Sequence, residues 1–355
     1  MIFQTLISAL ALSTPLLVDA CQSTVTKPPL LWLADLRSGN TDADSSVTLS
    51  KAGPGLRLIR FEQGAVPIPI TPEEKLELEK SGLRYFDVTE DDLEAVLAQK
   101  ISNGQYGGSR AIPSAPTHQS QVKPVIATLS QANLKTDLAA LTSYKTRYYK
   151  STTGATASKD LLKKLQSIAA SAPGTGGKVT VTSFAHSWGM SSLIARIEGT
   201  NSAGAITIAG AHLDSINQSN PTSGTAPGAD DNGSGCVNLI EGFRKLVAAG
   251  FKPTTPVEFH WYSGEEAGLL GSAAVAKSYS TSKKPINAYL NLDMTAWLQT
   301  GTTPQIGFVS DKTDSNLTAF TKKLVSTYRK PLSADTFVVA NRRRSWYSVW
   351  CCGNG

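Results

Sequence analysis

The chain has 355 residues, 41% hydrophobic and 17% charged, which is enough to bury a substantial core and exceeds one average domain. A formal net charge of +6 and a pI of about 9.0 come without any long Lys/Arg block, and Arg342–Arg344 stands alone, so nucleic acid is a poor partner. Past the N-terminus no stretch reaches about 18 apolar residues, so neither a spanning helix nor a membrane partner is expected.

Residues 1–20, "MIFQTLISALALSTPLLVDA", carry an apolar run from Leu6 to Val18, with Val18 and Ala20 at the −3 and −1 positions of a cleavage site. They read as a signal peptide of a secreted, extracellular protein, although the region before the run lacks Lys and Arg. A buried N-terminal helix is the plainer alternative.

Residues 21–118 read as an acidic prosegment and linker. Between 31 and 99 there are 13 Asp/Glu against 7 Lys/Arg, leaving 15 acids against 27 bases elsewhere, so electrostatic docking of a zymogen segment on a basic body is expected. "TPEEKLELEK" (71–80) has a Thr cap, a Pro in the first turn and early glutamates, the marks of a helix start. "TEDDLEAVLAQK" (89–100) reads as a second short helix, and the Gly/Ser/Pro-rich 102–121 as an exposed linker open to proteolysis. The alternative is an ordinary N-terminal subdomain that stays attached.

From 119 to 336 helix and strand patterns alternate. Helical spacing runs through "VIATLSQANLKTDLAALTSY" (125–144) and "TGATASKDLLKKLQSIAA" (153–170). Strand character marks "KVTVTSFAH", "SSLIARIEG", "AGAITIAGAHLDS", "TPVEFHWYSGEE" and "NAYLNLDMTAW", and "GCVNLIEGFRKLVAAG" is an amphipathic helix stopped by Gly250. The fold class is therefore α/β, a three-layer sandwich around a mostly parallel mixed sheet, with chemistry outside the carboxyl ends of the strands. Of the cysteines Cys21, Cys236, Cys351 and Cys352, Cys236 reads as a small packed hydrophobe.

Three strand ends carry polar residues directly after apolar runs: His212 and Asp214, then Asp230 and Asp231 in the following loop; Glu265 and Glu266; and Asp293. Burying so many carboxylates together is costly unless a cation compensates them, and histidine plus carboxylate is a donor set that zinc accepts. In an extended "GEEAG", adjacent side chains would point to opposite sides, one glutamate toward metal and its neighbour toward the water it activates. In "HLD" the carboxylate is placed to hold the second imidazole N–H. Each fragment alone is as easily a surface acidic pair or a satisfied core histidine.

"GAHLDS", "APGADDNGSG", "EFHWYSGEEAGLLGS" and "NLDMT" resemble the motifs of the secreted two-zinc leucyl aminopeptidases of fungi and bacteria, from about Val122 to Thr336. "TSYKTRYYKSTTGATAS" (142–158) and, less diagnostically, the segment 71–89 resemble their N-terminal portions. The resemblance implies two Zn2+ ions. His212 and Asp293 would ligate one, Glu266 the other, and Asp231 would bridge them; Glu265 would be the general base and Asp214 would orient His212. It also implies a cis peptide at Asp231–Asn232, close packing at Gly233, Ser234 and Gly235, and the removal of large apolar N-terminal residues from peptides by a monomer.

The sequence departs from that family after Asp293. No histidine follows it, and the family's cysteine-containing "CGY-x-CSDH" stretch is absent; His118, His186 and His260 read as structural or linker residues. Residues 337–355 read as a non-family tail, leaving the catalytic domain without its last strand and helix and the activity impaired. An inactive metal- or peptide-binding fragment, a glutaminyl cyclase relative and a metallocarboxypeptidase remain as other readings. Sequons at Asn217 and Asn316 mark glycosylation sites, and the one at Asn232 lies in the metal loop.

Overall fold

The computed structural model describes residues 55–61, 65–90, 112–298, 300–301, 306–310, 313–328 and 334–337. The signal peptide, nearly all of the helix expected over 89–100, the first half of the linker and the tail beyond 337 lie outside the described residues.

Alternation along three strands sets the architecture. In β6 (Ile206–His212), Ile206 and Ile208 enter one apolar cluster while Ala209 and Ala211 enter another. β7 (Val257–Tyr262) is buried throughout, sending Val257, Phe259 and Trp261 to the larger cluster and Tyr262 to the smaller. β5 (Ser192–Ile197) divides in the same way, with Leu193, Ala195 and Ile197 facing the larger cluster. Strands buried on both faces, as β6 and β7 are, require cover on both, which makes three layers. The five-stranded sheet has the order β4-β5-β7-β6-β8, with β4 at Val179–Phe184 and β8 at Ile286–Asn291. β6 pairs in parallel with β7 and β8, while β5 is antiparallel to both its neighbours, so four of the five strands run the same way.

The larger core lies between this sheet and α4 (Thr152–Ala170) and α5 (Gly235–Ala248), with Leu165, Leu239, Phe243 and Leu246 fully buried. Each such side chain contributes about 1.5–3 kcal/mol by leaving water. On the opposite face α6 (Leu270–Thr281) supplies Val275 and Tyr279. The single helix expected over 125–144 is two: α2 (Gln119–Ile126) and α3 (Gln131–Thr142). Ser130 ends the continuity because its hydroxyl caps the Asn133 N–H at 3.2 Å, and its own N–H donates to Glu241 of α5 at 2.9 Å. After β8 come β9 (Ile306–Val309), α7 (Ser315–Tyr328) and β10 (Ala334–Phe337), with β9 and β10 pairing in parallel outside the main sheet.

The N-terminal segment builds its own sheet, β2-β1-β3, from Ile68–Ile70, Arg57–Arg60 and Phe86–Asp87, packed on α1 (Pro72–Ser81). α1 starts as its sequence indicates, with Thr71 and Glu74 forming a reciprocal capping box and Pro72 in the first turn. The segment meets the body through buried polar and aromatic contacts: Tyr148 donates to Glu79 at 2.8 Å, Lys75 lies over the Tyr149 ring, and the Asp87 N–H donates to the Gly268 carbonyl at 3.2 Å. Among the described residues, the ion pairs of Asp87 with Arg57 and Lys75, and of Lys80 with Glu77, fall inside the segment, while the charge of Lys150 on the body favours ionised Glu79. Among the described residues no helix is long and apolar enough to cross a membrane.

Candidate metal centre

Three parallel strands deliver the site at their carboxyl ends. His212 is the last residue of β6 and is buried; Glu265 and Glu266 follow β7; Asp293 lies two residues beyond β8. The loop after β6 returns Asp231 to the same place. His212 Nε2 lies 3.0 Å from Asp231 Oδ1 and 3.5 Å from Asp293 Oδ1. Donor atoms of His212, Asp231 and Asp293 all lie within 4.8 Å of one another, as do those of His212, Glu265 and Glu266. The four expected ligands and the expected base are thus one cluster around a single imidazole.

A cation fits this cluster on two grounds. His212 Nε2 and Asp293 Oδ1 are buried without a hydrogen bond of acceptable geometry, although they face each other. Unmatched buried polar atoms of this kind are rare in folded proteins and call for a ligand. The electrostatics agree. Burial pushes the Glu266 carboxyl well above its usual range, reinforced by repulsion from Asp231 and Glu265. Burial likewise raises Glu265 and Asp293. Burial alone would lower His212, but Asp293, Glu265 and Asp214 more than offset it and hold the imidazole strongly basic. One imidazole among crowded carboxylates at strand ends suits Zn2+.

The loop that carries Asp231 is tightly specified. The Asp231–Asn232 peptide is cis, as the family resemblance implied. Asn232 is buried, accepting the Gly235 N–H at 3.0 Å and donating to the Leu292 carbonyl at 2.9 Å, next to Asp293. A Cβ on Gly235 would fall 2.6 Å from that same Leu292 carbonyl, so only glycine permits the approach. Asp230 reaches the other way, accepting the N–H groups of Ala296 and Trp297 at 2.9 and 3.0 Å, while Ser234 accepts that of Thr295 at 2.8 Å. The loop after β6 and the loop after β8 are therefore stitched together beside the cluster.

Two details differ from the sequence reading. Glu265 and Glu266 lie in a turn past the end of β7, so strand alternation does not separate them and both face His212. The carboxylate of Asp214 is 3.7 Å from His212 Nδ1, whose hydrogen bond goes to the Asp214 carbonyl at 3.2 Å. The Asp214 carboxylate instead accepts the N–H groups of Glu265 at 3.0 Å and Glu266 at 3.1 Å, cross-bracing the second strand end from the first.

The other histidines stand apart. His260 is buried between Glu258 and Tyr262, His186 bonds Ser192 and stacks on Trp188, and His118 contacts Gln121 at the start of α2. Cys236 is buried and its thiol donates to the His212 carbonyl at 3.0 Å, which adds a polar tie to the apolar role read from sequence. From the N-terminal segment, Arg84 lies close enough for its charge to favour ionised Glu265. Arg147 and the Asn238–Thr295 contact at 2.8 Å carried no signal in the sequence, because their partners are remote main-chain groups or a lone hydroxyl.

Comparison with known proteins finds relatives of the chain. Residues 192–345 match the model of peptidase family M28. The chain is 40% identical over 269 residues to leucine aminopeptidase 1 of Grosmannia clavigera, covering 73% of this chain and 64% of that protein. To a probable leucine aminopeptidase 1 of Trichophyton verrucosum it is 37% identical over 278 residues, covering 75% and 72%. Among solved structures, the LapA aminopeptidase of Legionella pneumophila shares the fold, with a TM-score of 0.65 at 22% identity, covering 79% of this chain and 80% of that one.

Proposed function

The chain belongs to peptidase family M28, and we propose from that premise that it is a secreted, monomeric zinc aminopeptidase, removing large apolar, leucine-like residues from the N-termini of peptides. The observation that carries this reading is the convergence of His212, Asp231, Asp293, Glu265 and Glu266 from three strand ends into one partly buried cluster, with unmatched polar atoms on His212 and Asp293. The names of the fungal relatives support the leucine preference.

His212, Asp231 and Asp293 would hold one ion, and Glu266, with Asp231 as the bridge, a second. Zinc bound there would supply Lewis acidity to the scissile carbonyl. Glu265 has the raised basicity of a carboxylate suited to take the proton of the attacking water and return it to the leaving amine. The braces from Asp214 hold Glu265 and Glu266 in place for those tasks. His212 is the single imidazole that the described residues bring to the centre, so the position at Glu266 is the weaker and fills at higher zinc concentration.

The domain reading follows: a signal peptide over 1–20, a prosegment and linker over 21–118 and a catalytic domain over 119–336. The charge of Arg84, which favours ionised Glu265, supports a zymogen in which the docked segment bears on the site. Asn316, exposed in the first turn of α7, is the better glycosylation acceptor, because the Asn217 amide already donates to the Thr225 carbonyl at 2.9 Å.

The test is hydrolysis of a leucyl chromogenic amide by the zinc-loaded chain beside its Glu265→Gln variant. The reading expects turnover by the former and its loss in the latter with zinc retained. Equal turnover by both would remove Glu265 from its role, and no turnover by either would favour a binding-only fragment.

A further inference from the structure

Arg147 has no exposed surface, and its guanidinium donates to main-chain carbonyls. Nε donates to Leu213 at 2.7 Å, Nη1 to Leu141 at 3.0 Å and Pro227 at 2.5 Å, and Nη2 to Gly228 at 3.0 Å. Leu213 lies between His212 and Asp214, while Pro227 and Gly228 lead directly into Asp230 and Asp231. One rigid side chain thus grips both chain segments that bring His212 and Asp231 together. Its main chain adds a parallel strut: the Arg147 N–H donates to Ser215 Oγ at 3.0 Å, and that hydroxyl donates to the Ala226 carbonyl at 2.7 Å.

The site is built to receive this residue. Gly228 has φ +53°, and a Cβ there would fall 2.6 Å from Ser215 Cβ and 2.9 Å from Arg147 Nη2. The planar fork of a guanidinium fixes the angles between its donors, so it sets the spacing of the carbonyls it binds, which a lysine ammonium on a flexible stem does not. Its charge also bears on Asp214, Asp231 and Glu266.

We propose that Arg147 is a positioning residue for the metal centre: its guanidinium holds the end of β6 and the Asp231 loop at the separation that a shared cation requires. This rests on the zinc reading above. The test measures zinc affinity of the full chain by competition with a chromogenic chelator, the visible spectrum of the cobalt-loaded protein, and the melting temperature of the metal-free form. It compares the unaltered chain with Arg147→Lys, Ser215→Ala and Leu165→Ala, the last a core change on α4 remote from the loops. Arg147→Lys is expected to lower zinc affinity roughly 10–100-fold and to alter the cobalt spectrum. Leu165→Ala should melt lower yet bind zinc within about threefold of the unaltered chain, as expected of an independent site. Ser215→Ala, which keeps the arginine and removes the strut, should show a smaller loss in the same direction.

An Arg147→Lys protein with unchanged affinity and spectrum overturns the inference, as does an equal loss of affinity in Leu165→Ala. If Arg147→Lys does not fold, unchanged zinc affinity in Ser215→Ala overturns it. Failure of the unaltered chain to bind zinc overturns the metal reading itself, and is distinguishable because it precedes any comparison of variants.

Discussion

Asparagine at position 214 keeps the shape of the side chain and removes half of its function. The fully buried Asp214 carboxylate accepts two main-chain N–H groups, from Glu265 at 3.0 Å and Glu266 at 3.1 Å. An asparagine offers one carbonyl and turns an NH2 toward the other donor, leaving a buried N–H facing a donor. A buried donor without an acceptor costs about 1–3 kcal/mol, and the surviving bond loses its charge assistance. Since 1.4 kcal/mol is a factor of ten, a cost of this size borne by the Glu265–Glu266 turn lowers kcat/KM by roughly 10–100-fold. The assay is kcat/KM on a leucyl chromogenic amide at saturating zinc, with circular dichroism to verify folding. A folded Asp214→Asn protein within about twofold of the unaltered enzyme would refute the bracing argument, because twofold corresponds to only about 0.4 kcal/mol.

Two further outcomes follow from the packing and the charges. Gly235→Ala places a methyl against the Leu292 carbonyl and should cost about 1–3 kcal/mol, seen as a melting temperature lower by several degrees; an unchanged melting curve would contradict the close approach. Away from the metal centre, burial alone would raise the Glu258 carboxyl, but His260, Tyr279 and Arg196 hold it down at about 2. A depressed carboxylate gives stability that is present above its unfolded value near 4.3 and lost as the pH falls toward 2. Stability measured by denaturant should therefore decline across that window, and less steeply in Glu258→Gln; identical slopes would remove Glu258 from the acid transition.

The strand ends were legible because polar residues placed directly after apolar strands have few structural reasons to be there. His212, Glu265, Glu266 and Asp293 lie together at these strand ends, and the loop after β6 brings Asp231 to them. The layered sheet was legible from the alternation of strand and helix patterns along the chain, and β6 and β7 are buried on both faces. What stayed hidden depended on partners distant in the chain. The break between α2 and α3 hinges on Ser130, whose N–H meets Glu241 of α5, while helical spacing runs unbroken past it. The grip of Arg147 on carbonyls of Leu213, Pro227 and Gly228 involves main-chain atoms that every residue carries, so no residue pattern announces it. For Asp214 the sequence indicated one neighbour, the imidazole 3.7 Å from its carboxylate, and missed the other. Adjacency in "HLD" pointed to the imidazole, whereas the fold brings the Glu265–Glu266 turn within hydrogen-bond reach of the carboxylate.

The central claim is that the cluster around His212 is a zinc site, and anomalous X-ray diffraction across the zinc edge on crystals grown with the metal tests it most directly. An anomalous peak is expected about 2.0–2.2 Å from His212 Nε2 and from carboxylate oxygens of Asp231 and Asp293. A zinc peak at another place on the molecule, or none at this cluster in zinc-soaked crystals, would contradict it.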